Sequence, residues 1–163
     1  MVGTAVRLGL ALVWLVSGTI KASNQLETTV AVHAYQLLPG EVADVVAGVL
    51  PWFELTLGVL LLMGLGVRQV AVTSAMVLLA FMFGVAQAWA RGLAIDCGCF
   101  GGGGAVAPDQ TSYGTELLRD TGFLILAVWL VVRPRTLLAL EHLLTPGEDQ
   151  PQGGGGHRRG AEE

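Results

Sequence analysis

Charge is scarce in this sequence: Asp, Glu, Lys and Arg make up 13% of it, against about a quarter in soluble domains. Cysteine is scarcer still, with two residues, and histidine contributes three. With 53% hydrophobic residues the chain is no disordered polymer, and a net charge of −4 excludes a basic nucleic-acid binder. Two cysteines exclude a disulfide-rich secreted scaffold. They are also too few to close a four-ligand zinc site, and no histidine lies near them in sequence, so no metal set is assigned. The apolar share and a mean hydropathy of +0.63 leave a small integral membrane protein or a greasy soluble one. The lengths of the apolar runs decide between them.

Residues 69–90 form the cleanest run, 22 residues without a charge. A helix of that length crosses a hydrocarbon core of about 30 Å. The run 45–67 is interrupted only by Glu54. Residues 4–22 hold an uncharged centre between Arg7 and Lys21, whose long side chains reach toward headgroups. The run 115–132 spans only if Arg119 and Asp120 sit at the interface. Small residues do not fall well at cleavage positions before Ser23, so the first run reads as a retained helix rather than a signal peptide. The expected fold class is all-α, an integral membrane four-helix bundle within residues 1–135. Residues 136–144 follow as a short amphipathic interfacial segment and 145–163 as a disordered, low-complexity tail.

Lys and Arg near the helix ends set the orientation. Arg7, Arg68, Arg133 and Arg135 fall on one side, and Lys21, Arg91 and Arg119 on the other. The expectation is a multi-pass cell-membrane protein with both termini cytoplasmic and both longer loops extracytoplasmic. The first loop contains AVHAYQLLPG, which predicts a short interfacial helix with Tyr35 at headgroup depth, stopped by Pro39 and Gly40. His33 in that stretch reads as a surface or headgroup contact. Trp14, Trp52, Trp89 and Trp129 read as interface anchors or packing. Ala5 with Gly9, and Ala43 with Ala47, offer small-residue pairs for close helix approach.

Both cysteines, Cys97 and Cys99, lie in the second loop with only Gly98 between them, ahead of glycines 101–104. Such spacing brings the Cα atoms within disulfide range, and Gly98 permits the backbone angles a small ring demands. A bridge this short constrains the unfolded chain very little, so a purely structural role is poorly motivated. A strained, exposed disulfide suits catalysis or regulation. Three readings stand: a dithiol/disulfide exchange site, a thiolate site for a soft metal such as Cu(I), and an inert pair. Asp96 adjoins Cys97 and opposes a low thiol pKa, unless Arg91 folds back to offset it.

Glu54 falls near the middle of the second run, where an unpaired carboxylate costs a few kcal/mol. Pro51 frees the carbonyl of Ala47 nearby. Lys21, Arg7, His33 and Thr56 are the partners within sequence reach. A protonated glutamic acid used for packing is the bland alternative.

The strings RLGLALVWLVSGTIKAS, HAYQLLP, LPWFELTLGVLLLMG and RG-x-x-x-DCGCFG, taken together, resemble the MauE branch of the DoxX-like membrane proteins over residues 4–132. The resemblance implies a four-helix membrane protein associated with redox or disulfide chemistry. It also implies a role in maturing a disulfide-rich periplasmic dehydrogenase subunit, alongside a thioredoxin-like partner. Cys97 and Cys99 match the family's cysteine pair, Glu54 its in-membrane glutamate and Lys21 the basic end of its first helix. The glycine-rich insertion after Phe100 and the long tail have no counterpart. The expected activity is thiol–disulfide exchange with an exported or thioredoxin-like protein, one cysteine forming a mixed disulfide and the other resolving it. Electrons then leave by a membrane quinone bound near Glu54, or the pair moves between membrane faces, or the chain only presents the dithiol. The competing readings are a non-enzymatic assembly or Cu(I)-handling factor using the same loop, and a transporter using Glu54.

Overall fold

Backbone groups in a bilayer find no water to bond, so long apolar runs close their own hydrogen bonds as helices. The computed structural model describes residues 2–96, 98, 103–107 and 111–133. In chain order these form α1 (Val2–Ser23), α2 (Gln25–Ala34), α3 (Gly40–Met63), α4 (Val67–Ala90), β1 (Ile95–Asp96), β2 (Gly104–Ala105) and α5 (Tyr113–Val132). Cys97 and Cys99, the segment 136–144 and the tail 145–163 lie outside the described residues.

Among the described residues three helices, α1, α3 and α4, are long and apolar enough to cross a membrane by length and composition. Helix α5 is 20 residues long but carries Glu116, Arg119 and Asp120 in its first half. Asp120 faces the other helices. It is 3% exposed and shares an inward face with Ala127 and Leu130, seven and ten positions on. Many large side chains on the outward faces, Leu12, Trp52, Met76, Phe83 and Ile125 among them, are apolar and exposed, a surface suited to lipid.

Two boundaries differ from the sequence reading. Helix α3 starts at Gly40, with Pro39 as its N-cap, so the expected stop signal of the interfacial helix is the start of the next one. It ends at Met63 because Gly64 turns left-handed (φ 71°), its amide bonding the carbonyls of Leu60 and Leu61. Gly64, Leu65 and Gly66 therefore form a tight turn into α4, where apolar Leu65 and Val67 had suggested a continuing span.

The core is built on two helix pairs, α1 on α3 and α4 on α5. Closest approach of α1 and α3 depends on Gly18 and Gly58. A Cβ on Gly18 would stand 2.9 Å from the Pro51 carbonyl, and one on Gly58 would stand 2.7 Å from Leu15 Cγ. Gly9 faces open space, so the Ala5/Gly9 pair makes no such seam, whereas Ala43 and Ala47 are buried. Trp14 is core packing rather than an interface anchor: it is 2% exposed, and its Nε1 donates to Ser74 Oγ at 3.0 Å. Trp52 and Trp89 are exposed.

Candidate functional site

The last turns of α1 and the middle of α3 meet in a buried polar cluster. Lys21 Nζ donates to Glu54 Oε1 at 2.6 Å and to Ser17 Oγ at 2.8 Å, while Ser17 Oγ donates to Glu54 Oε2 at 2.8 Å. Lys21 and Ser17 are one helical turn apart, so both side chains present from one face of α1. Glu54 is fully buried and both its oxygens are served, which is what a carboxylate needs at that depth. Of the four partners the sequence offered, Lys21 is the one that pairs. Arg7 lies fourteen residues earlier on α1, about 21 Å along the axis. Thr56 donates to the Trp52 carbonyl, and His33 pairs with Asp44 at 2.7 Å on the surface. Ser17 escaped the sequence reading; its only signal was the i, i+4 spacing to Lys21. Lys21 is also the sole lysine of the chain.

Lys21 ties the cluster to its surroundings. Its Nζ lies 5.2 Å from the centroid of the Phe81 ring on α4, and its carbonyl accepts from Thr28 Oγ1 on α2 at 3.1 Å. Helix α2 is held a second time. Pro51 supplies no N–H for the Ala47 carbonyl, and Gln25 Nε2 donates to that carbonyl at 2.8 Å instead.

The second loop is better ordered at its ends than its glycines suggested. Strands β1 and β2 pair antiparallel as a short ribbon, Ile95 opposite Ala105 and Asp96 opposite Gly104. Tyr113 anchors its foot, accepting from the Ile95 amide at 3.0 Å and donating to the Leu93 carbonyl. The ribbon rests on α2. A Cβ on Gly103 would stand 2.5 Å from Ala31 Cβ, and one on Gly104 would stand 2.8 Å from Val30 Cγ1. Both glycines have positive φ, so they serve close approach as well as turn geometry. Gly98, between the two cysteines, is buried, and its amide faces the Asp96 carboxylate at 3.4 Å. Arg91 does not offset Asp96: its guanidinium reaches the Tyr35 and Gln36 carbonyls and the Gln36 side chain in the first loop.

Between the cluster and the ribbon lies an apolar cavity of about 480 Å³. Lys21, Tyr35, Phe81, Gly84 and Gly98 are among its wall residues, so it links the ion pair to the residue that separates the cysteines. The Tyr35 ring packs within 3.4 Å of where a Gly84 Cβ would lie, which places it inside the helix assembly. Asp120 is a further buried carboxylate, close enough to Lys21 for their charges to interact. Arg119 contacts its Oδ1 at 3.3 Å, and its Oδ2 has no hydrogen-bond partner among the described residues.

A family model described as Methylamine utilisation protein MauE matches residues 1–133, which takes in all the elements above. No curated protein and no solved structure matches the chain.

Proposed function

The chain belongs to the methylamine utilisation protein MauE family, and from that premise we propose that it is a membrane thiol–disulfide exchange protein serving exported proteins. Cys97 and Cys99 are the exchanging pair. One attacks or is attacked by a partner sulfur to form a mixed disulfide, and the other resolves it, so that one disulfide is broken for each one made. The partner is a thioredoxin-like or disulfide-containing exported protein. Helix α5 is the fourth span in this reading, the termini are cytoplasmic, and the ribbon stands on the outer face.

The observation that carries the reading is the position of Gly98. The residue between the two cysteines is buried beside Gly103, against a ribbon of β1 and β2 that is anchored by Tyr113 and floored by α2. A spacer with no chemical task has no need of a clamped base, two glycines fitted to α2 and a buried polar cluster across a cavity. Methylamine metabolism is the setting that the family's description suggests. The exchange chemistry itself suits any exported protein with cysteines to pair.

Trapping tests this directly. Cys97→Ser and Cys99→Ser are expressed singly in cells, free thiols are blocked with acid and alkylator, and complexes are separated without reductant. At least one single variant should hold a partner in a reductant-sensitive complex, and the double variant should hold none. If neither single variant captures a protein, the exchange reading is wrong. Metal analysis of the purified chain bears on the Cu(I) reading, since an exchange site should purify metal-free whether or not the cysteines are present.

A further inference from the structure

The cavity between the polar cluster and the ribbon has a composition that specifies its occupant. Its volume of about 480 Å³ is in the range of small-molecule sites, about 300–1,000 Å³. Its wall is mostly apolar and includes the rings of Tyr35 and Phe81, which suit a flat ring system. The ammonium of Lys21 has three N–H donors, of which Glu54 and Ser17 take two. Glu54 already balances its charge, so the wall presents a hydrogen-bond donor without a net positive charge. An anionic headgroup gains little from such a wall, and an acyl chain has no use for the donor. A neutral, ring-shaped molecule with a carbonyl oxygen uses both features.

We propose that this cavity is a binding site for a membrane quinone, with a quinone carbonyl accepting from Lys21 Nζ and the ring lying beside Phe81 and Tyr35. For its source of electrons the proposal rests on the exchange reading, and it names the acceptor that reading lacks. The thiols of Cys97 and Cys99 lose two electrons and two protons as the S–S bond forms. The quinone takes up both and leaves as the quinol, its two carbonyl oxygens becoming hydroxyls. Gly98 in the cavity wall keeps the two half-reactions in one neighbourhood. Lys21 acts as a binding and positioning residue.

Decyl-ubiquinone is the probe, titrated into the purified full chain carrying Cys97→Ser and Cys99→Ser, so that no thiol reacts with it. Thermal unfolding should shift upward in a saturable way, and 1-decanol, which has the tail without the carbonyls, should not compete. Ala80→Phe fills the cavity from its open side without touching the ion pair and should abolish the shift. The balanced pair Lys21→Met with Glu54→Leu removes the donor without stranding a charge and should raise the dissociation constant at least about tenfold. A shift unaffected by Ala80→Phe, or competition by decanol equal to that of the quinone, overturns the proposal. The two readings fail separately. Binding to the serine variant with neither quinol formation by the reduced native chain nor partner trapping in cells leaves the quinone site standing and counts against exchange. Partner trapping in cells without any binding of the probe counts against the quinone site alone.

Discussion

Lys21 and Glu54 form a buried ion pair at the centre of the polar cluster. A buried ion pair is a poor source of net stability, yet removing one member leaves the other charged and unserved, at a cost of about 3–5 kcal/mol. Glu54→Leu or Lys21→Met alone should therefore destabilise the purified protein by about that much, and the double substitution by clearly less. Thermal or denaturant unfolding of the three variants in one detergent checks this, and simple additivity would refute the coupling. The sequence showed Glu54 plainly, because a carboxylate deep in an apolar run stands out against its neighbours. It named Lys21 only as one of four candidates, since pairing depends on how α1 and α3 are aligned, which hydropathy does not encode. Asp120 was hidden by its neighbour: Arg119 beside it made the two look like an interfacial pair, although adjacent helical residues point in directions about 100° apart.

The ribbon and α2 behave as a unit, each fitted to the other. Strands two residues long carry no alternating pattern, so the second loop reads from sequence as freely moving glycine-rich chain. The structure fixes Gly103 and Gly104 against Ala31 and Val30. Gly104→Val should lift the ribbon, since it places branched atoms where Val30 lies and requires a positive φ that valine disfavours. Amides of β1 and of the outward face of α2 should then exchange hydrogen faster, while those in the middle of α3 stay protected. Unchanged exchange in the ribbon would mean that the contact does not hold it. A short helix in the first loop was legible, but it was read in the stretch from Ala31 to Pro39, whereas α2 runs Gln25–Ala34, and its two ties were not legible. The bond from Gln25 to the Ala47 carbonyl follows from a vacancy that Pro51 announces, though nothing in the sequence says which side chain fills it.

At the scale of the molecule, the apolar runs announced α1, α3 and α4, and the chain's placement in a membrane follows from them and from the family. Orientation rests on a margin of one basic residue, four against three, so it is settled by chemistry on cells rather than by counting. With the ribbon outside, a membrane-impermeant maleimide should label Cys97 and Cys99 on intact cells after mild reduction. Little labelling should occur without reduction if the pair is held oxidised. Labelling that requires the cells to be opened would invert the proposed topology.

Ile95 and Asp96 are laced to Gly104 and Ala105, and only seven residues of sequence, 97–103, separate the two strands. A chain pulled straight covers about 3.3–3.6 Å per residue, so Cys99, three steps beyond Asp96, can be no farther from it than roughly 10 Å. The hydrocarbon layer is about 30 Å deep. On the exchange reading, sulfur on so short a leash works one shore of the bilayer. Ferrying it to the opposite shore would, on that reading, exceed the tether threefold, and the electrons would need a separate, diffusible passenger.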